Sequence, residues 1–184
     1  MRVLAVSGSL RSGSYNTLLL QEAERLAPAG VDFDWYEELE SVPPYNEDRD
    51  VGEPPPAAAR LREAIDAADA LLIATPEYNA SIPGQLKNAV DWASRPVRKG
   101  ALWGKPVMVV GASTGTYGAV WAQAELRKVL ATAGARVVDA EVAVGRAAER
   151  FDDDGHLVDD QLREELSEAL GALAAEAAPR LVAA

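Results

Sequence analysis

The sequence contains no cysteine and only one histidine, His156, among its 184 residues. Without thiols the chain has no disulfides, no thiolate metal ligands and no thiol redox chemistry. A single imidazole leaves little from which to build a transition-metal site, and no metal site is predicted. Any redox chemistry of this protein must therefore come from a bound cofactor.

Positive charge is scarce, and long apolar stretches are absent from the sequence. The 18 lysine and arginine residues are outnumbered by 29 aspartate and glutamate residues, which gives a net charge of -11. Such a charge repels nucleic-acid phosphates and anionic lipid surfaces. No stretch approaches the roughly 20 apolar residues of a membrane span, and the apolar run at 1–6 is short. These features predict a cytoplasmic protein that binds neither nucleic acid nor membranes.

The remaining composition is ordinary for a globular chain. Hydrophobic residues make up 48% of the sequence and charged residues 26%, which argues against a disordered or disulfide-stapled chain. The length suits one domain with a buried core better than two domains. The sequence therefore predicts a single domain over residues 1–184.

Short, continuous apolar runs mark the strands, because strands buried on both faces of a sheet need no polar alternation. Such runs occupy residues 3–6, 70–74 and 107–111, and a weaker one at 136–138 leads into 141–144. In between, Val31, Phe33 and Trp35 alternate with more polar residues, as in an edge strand. The pattern predicts five strands.

Helical periodicity fills the gaps between these runs. Leu162, Leu166, Leu170 and Leu173 recur at spacings of four, four and three, which places them on one helix face. We expect this C-terminal helix, continuing through the alanine-rich residues 168–184, to cover the sheet. Shorter periodic segments surround Leu18, Leu61, Leu86 and Leu126.

Strands that alternate with helices of this length pair in parallel through right-handed crossovers. The sequence therefore predicts an α/β three-layer sandwich, a five-stranded parallel sheet with helices on both faces. Residues 37–53, charged and bordered by prolines, are interpreted as a long surface loop.

Ligands of such sheets bind at the carboxyl ends of the strands, near the point where the strand order reverses. Residues 7–16, after the first strand, contain four serines, two glycines, Arg11 and Asn16 immediately before a helix. Small residues, hydroxyls and a helix N-terminus favour a phosphate group there, and Arg11 can add a charge-assisted bond. The alternative is that Ser14 and Asn16 merely cap the helix. The loop has neither the Gly-Lys-Ser/Thr ending of a P-loop nor the Gly-x-Gly-x-x-Gly spacing of dinucleotide sites.

Two further loops have a similar character. After the third strand, Pro76 and Pro83 fix a loop that displays Tyr78 and Asn79, which favours contact with a planar aromatic ligand. The alternative is a plain turn with a buried tyrosine. After the fourth strand, residues 111–118 are glycine, serine and threonine with one alanine and one tyrosine, small enough to come close to a bound ring.

These three segments, 8–16, 76–92 and 111–118, make the chain resemble the NADPH-dependent FMN reductase family over most of residues 1–140. The Pro-Glu-Tyr-Asn sequence with the following Ser-Ile-Pro-Gly and Leu-Lys-Asn is the most specific part of the resemblance. The resemblance implies a flavodoxin-like fold with FMN as cofactor and NADPH or NADH as electron donor. It also implies a small-molecule electron acceptor and assembly as a homodimer or homotetramer.

The resemblance further implies roles for individual residues. The FMN phosphate would be held by Ser9, Arg11, Ser14, Tyr15 and Asn16. The isoalloxazine and ribityl groups would contact Pro76, Glu77, Tyr78 and Asn79, and the ring would be bordered by Ser113, Thr114 and Gly115. No side chain is predicted to be catalytic, because hydride transfer from nicotinamide to flavin is the chemistry of the cofactors themselves.

One position departs from the family pattern. Where many members have Gly-Gly-x-Arg-Ala, this chain has Gly-Ala-Val-Trp-Ala at 118–122, so Trp121 replaces the arginine. The nicotinamide preference and the assembly depend on what that arginine does in relatives. Two alternative functions remain open at this point, a flavodoxin-type electron carrier that does not react with NADPH and a non-catalytic FMN-binding module. Whether FMN is a prosthetic group or a substrate is also left open.

Overall fold

Six parallel strands form the sheet in the computed structural model, which describes residues 1–178. The strands are β1 (Arg2–Ser7), β2 (Asp32–Tyr36), β3 (Ala70–Ala74), β4 (Pro106–Ala112), β5 (Arg136–Val137) and β6 (Ala143–Val144). Their order is β2-β1-β3-β4-β5, and β6 pairs with the later part of β4. This is the flavodoxin-like order, with the reversal between β1 and β3. The predicted parallel sheet is confirmed.

The fifth strand differs from the continuous one suggested by the sequence. β5 pairs with the first residues of β4 and β6 pairs with its last residues, but the chain between β5 and β6 does not form a continuous strand. The N–H of Ala140 donates to the carbonyl of Val138 at 3.0 Å, a tight turn that displaces the exposed residues on either side of it from the sheet. Val138 and Val142 remain buried on both sides of this turn.

The helices are α1 (Tyr15–Arg25), α2 (Pro56–Ala67), α3 (Gly84–Ala93), α4 (Val120–Thr132), α5 (Ala147–Arg150) and α6 (Asp160–Ala177). All five periodic segments of the sequence lie in helices. The loop at 37–53 contains two short 3-10 turns. The part of the predicted C-terminal helix beyond residue 178 lies outside the described residues. Within residues 1–178, no helix combines the length and the apolar character needed to cross a membrane.

Two hydrophobic cores cover the two faces of the sheet. Leu4 and Val6 of β1 face the side covered by α2, α3 and α4, whereas Val3 and Ala5 face the side covered by α1 and α6. Successive strand residues point to opposite faces, so a strand buried on both sides is apolar throughout. This accounts for the continuous apolar runs and confirms the three-layer architecture.

Candidate functional site

The loop between β1 and α1 is held against the end of β3. The Gly8 N–H donates to the Ala74 carbonyl at 2.8 Å. A Cβ at Gly8 would lie 2.7 Å from a methyl group of Leu86 and 3.1 Å from the Ala74 oxygen, so the close approach depends on glycine. Further along, the guanidinium of exposed Arg11 donates to the Gly13 carbonyl at 3.1 Å.

Ser14 and Asn16 form the start of α1 and its attachment to β4. The Ser14 hydroxyl accepts the Asn16 N–H at 3.2 Å and caps the helix. The side chain of Asn16 is buried, and its amide makes two bonds of 3.0 Å to Ala112, donating to the carbonyl and accepting from the N–H. Ser14 therefore caps the helix through its hydroxyl oxygen, whereas the side chain of Asn16 bonds to β4 and keeps one N–H for another partner.

The same loop retains unused hydrogen-bond donors. Among residues 1–178, the backbone N–H groups of the four consecutive residues 12–15 have no protein acceptor. These groups stand at the N-terminus of an 11-residue helix, where backbone donors and the helix dipole favour an anion. With the serine hydroxyls and Arg11, they form a donor set that fits a phosphate group.

The loop after β3 is a two-residue hairpin. Tyr78 and Ser81 exchange backbone hydrogen bonds of 3.2 and 3.1 Å, and the two turn residues, Asn79 and Ala80, have φ angles of 55° and 57°. Two consecutive positive φ angles define a type I′ turn. Tyr78 is 56% exposed, so the alternative of a buried tyrosine is wrong.

Two carboxylates join this hairpin to α4. Glu77 accepts the N–H of Ala122 in the first turn of the helix at 3.0 Å, where Ala119 provides no capping side chain. In the other direction, Glu125 of α4 accepts the Ser81 hydroxyl at 2.6 Å and the Ile82 N–H at 3.3 Å. The Ser81 hydroxyl and then the Ile82 amide lower the pKa of Glu125. The hairpin is thus fixed to α4 by two reciprocal carboxylate contacts.

The loop after β4 is supported from behind by β6 and α5. Ser113 donates its N–H to Val144 at 3.0 Å and accepts from the N–H of Ala147 at 2.9 Å. At Gly118, with φ of 61°, a Cβ would lie 2.5 Å from the backbone carbon of Ala143. The glycine at position 118 is therefore explained by close backbone packing.

A cleft of about 160 Å³ opens between the three loops. Every predicted cofactor-binding residue except Asn79 and Gly115 lines it. Asn79 is at the tip of the hairpin, and the Gly115 carbonyl accepts the N–H of Arg146 at 2.8 Å. The sequence did not single out Ala112, which also lines the cleft. The lining residues are Ser9, Arg11, Ser14, Tyr15, Asn16, Pro76, Glu77, Tyr78, Ala112, Ser113 and Thr114.

The strand order and the cleft define a flavodoxin-like α/β protein with a cleft where the strand order reverses, the position at which such sheets bind ligands. No group of three or more metal-ligating side chains occurs in the part of the chain that the structure describes. The chain belongs to the NADPH-dependent FMN reductase family, whose sequence profile matches residues 1–149.

Individual relatives agree with this assignment. An NAD(P)H-dependent FMN reductase of Pseudomonas aeruginosa is 47% identical over 174 residues, which cover 94% of this chain and 93% of that protein. A 2-hydroxy-1,4-benzoquinone reductase of a Burkholderia species is 38% identical and covers 90% of both chains. Among solved structures, the flavoenzyme FerB of Paracoccus denitrificans, an NAD(P)H:acceptor oxidoreductase, superposes with a TM-score of 0.85 at 34% identity over 96% of each chain.

The chain is accordingly an NAD(P)H-dependent oxidoreductase with FMN as its cofactor. This outcome confirms the predicted enzyme class and favours it over an electron carrier or a non-catalytic binding module. The roles of the individual cleft residues toward FMN remain predictions.

Proposed function

We propose that the cleft between the three loops holds FMN and presents it to NAD(P)H and then to a quinone or flavin acceptor. The observation that carries this proposal is the convergence of residues from three separate loops on one cleft. When bound, FMN supplies the hydride chemistry. The protein is left with binding, orientation and control of access.

Residues of the first loop would anchor the phosphate. Backbone N–H groups at 12–15, the serine hydroxyls and Arg11 supply neutral and charged donors. The one carboxylate among the residues that line the cleft, that of Glu77, accepts the N–H of Ala122. The loop after β3 would support the ring, since Pro76 and Tyr78 offer apolar surface on a backbone that two carboxylate contacts hold in place. Glu77 is then a positioning residue, because its carboxylate is occupied by α4.

The small size of the cleft is consistent with a bound FMN whose ring can be reached by a second molecule. A volume of about 160 Å³ is well below the roughly 300–1,000 Å³ of enclosed small-molecule pockets. A molecule as large as FMN would therefore be only partly enclosed. One face of its ring would remain open to the nicotinamide and afterwards to a planar acceptor.

The test begins with titration of the purified protein with FMN, followed by flavin fluorescence, and with NADPH or NADH oxidation in the presence of a quinone. We expect Arg11→Gln to weaken FMN binding by roughly tenfold, because a hydrogen bond to a charged group contributes about 1.5–3 kcal/mol. Arg49→Gln, which removes the charge of another exposed arginine from a different loop, is the matched control. FMN binding without oxidation of either nucleotide would refute the reductase proposal.

We also infer that two copies associate through the groove between α3 and α4. This groove has a volume of about 520 Å³ and is bordered by the exposed Val97 and Trp103 and by basic residues that include Arg95, Arg98 and Lys128. A basic groove on a chain of net charge -11 complements acidic surface on a second copy. We expect a dimer by light scattering that Val97→Glu dissociates and Val51→Glu, at another exposed valine, leaves intact.

A cytoplasmic location is part of the proposal, and it rests on the electron donor, since nicotinamide nucleotides are supplied inside the cell. Fractionation of cells that produce the protein, followed by detection of NAD(P)H oxidation in each fraction, would test it. Activity confined to a membrane or extracellular fraction would contradict the inference.

A further inference from the structure

A second, polar cavity borders the same loop after β4 that lines the cleft. It has a volume of about 240 Å³, and its walls include Thr116, Gly145, Arg146, Arg150 and Gln161. Ser113 and Thr114 of the same loop line the cleft, so the two spaces are separated by a short segment of chain. A long ligand that extends over this segment would contact both.

The two arginines of this cavity are in different states. Arg150 forms an ion pair with Asp159, whose other oxygen accepts the Leu162 N–H at 3.0 Å and caps α6. The guanidinium of Arg146, in contrast, is exposed and has no hydrogen bond or ion pair with any residue in 1–178. Arg150 therefore has a structural partner, whereas Arg146 has its charge and its five N–H donors available.

The backbone conformation of Arg146 is a second feature typical of a binding site. Its φ angle of 49° lies in the left-handed region, which is unfavourable for a residue other than glycine. The bond from its N–H to the Gly115 carbonyl, 2.8 Å long, fixes this strained residue directly behind the loop that borders the cleft. Strain held by the surrounding structure is a common property of binding sites.

We propose that Arg146 binds a phosphate group of the nicotinamide nucleotide while the nicotinamide ring reaches the cleft. This inference rests on the proposed function, in which the nicotinamide meets the flavin there. The nicotinamide and the phosphates lie at separate positions along an extended molecule, as the cleft and the cavity do along the protein. On a chain of net charge -11, an anionic donor needs a local cation.

The proposal also accounts for Trp121. This residue is half exposed and forms an edge-to-face pair with Tyr117 at 5.2 Å, and it contributes no charge where the family pattern has an arginine. If a phosphate is recognised from the neighbouring cavity, the nucleotide does not need a cation on α4. Arg146 is then the residue that determines affinity for the nucleotide.

The test compares Arg146→Gln with Arg49→Gln in the FMN-loaded protein. Calorimetric titration with adenosine 2′,5′-bisphosphate and with ADP measures phosphate recognition without turnover. We expect Arg146→Gln to weaken at least one of these ligands by roughly tenfold or more, as for the loss of a charge-assisted bond. We expect Arg49→Gln to change neither, and the FMN affinity to be the same in both variants.

The two phosphate groups of NADPH give different results in this test. Recognition of the 2′-phosphate predicts a higher KM for NADPH alone and weaker binding of adenosine 2′,5′-bisphosphate alone. Recognition of the pyrophosphate predicts equal effects on NADPH and NADH and weaker binding of ADP, the adenine ligand that carries a pyrophosphate. Arg146→Lys, which keeps the charge but not the planar fork, should recover part of the affinity.

Unchanged binding of both adenine nucleotides in Arg146→Gln would overturn the inference. Arg146→Gly, which relieves the positive φ and removes the same charge, repeats the measurement on a backbone that favours folding. Failure of the proposed flavin site would be seen separately, as a wild-type protein that does not bind FMN in the fluorescence titration.

Discussion

Removal of the Asn16 side chain separates a structural role for this residue from a role in binding phosphate. In Asn16→Ala the N–H and the carbonyl of Ala112, itself buried at 2% exposure, lose their partners at 3.0 Å. Each buried group left without a hydrogen bond costs about 1–3 kcal/mol. Because the cleft lies next to Ala112 and admits water, we expect a total near the lower end, about 2–4 kcal/mol in the free energy of unfolding.

Urea unfolding of the protein without flavin measures this loss directly. The geometry predicts that Asn16→Ala lowers the midpoint at unchanged slope, and that FMN affinity falls as well, because α1 and β4 lose their connection. Ser14→Ala is the comparison, since it removes one capping bond of 3.2 Å worth about 1 kcal/mol. If Asn16→Ala weakened FMN binding and left the flavin-free protein as stable as the wild type, the structural role would be refuted.

Three further predictions concern the surroundings of the cleft. Burial, and then the charge of Glu38, raise the pKa of Tyr36 to about 12. The free energy of unfolding that is present below pH 10 should therefore decline by about 1–2 kcal/mol as the pH approaches 12. Urea unfolding of Tyr36→Phe should not show this decline. Gly118→Ala, whose Cβ meets backbone at 2.5 Å, should cost about 1–3 kcal/mol in thermal unfolding, whereas Gly84→Ala, in open space, should not destabilise. Glu77→Gln should lower stability by about 1 kcal/mol and leave the pH profile of kcat unchanged; loss of one limb of that profile would instead identify an acid or base.

Most of the fold could be predicted because a strand that is buried on both faces of the sheet appears in the sequence as a continuous apolar run. Each strand from β1 to β4 has core on two sides, or alternates visibly in the case of β2, and the helices between them repeat leucine at helical spacing. The division between β5 and β6 could not be predicted in this way. It depends on the local turn at Ala140, for which the sequence offers no glycine or proline.

The predicted site residues meet at one cleft, but their contacts were only partly foreseeable. The bonds between Asn16 and Ala112 join residues 96 positions apart, and no pattern within a single sequence pairs them. The contact of Glu77 with α4 left a clearer signal. This helix starts after Gly118 and Ala119 without a serine, threonine, aspartate or asparagine at its N-cap, so a capping group had to come from another segment.

Arg11 and Arg146, which lie at the cleft and at the second cavity, differ from most other arginines in having no carboxylate partner within residues 1–178. Arginines on the helices and strands are mostly paired with carboxylates, as Arg2 is with Asp34 and Arg62 with Asp50. The side chain of Arg11 donates only to a carbonyl, and the side chain of Arg146 has no partner within residues 1–178. The chain has 29 acidic and 18 basic side chains, so its overall electrostatic field repels anions. The unpaired guanidinium groups beside the cleft and the second cavity attract anions locally. Because exposed charges are screened within about 10 Å at 0.1 M salt, added salt should weaken nucleotide binding more in the wild type than in Arg146→Gln.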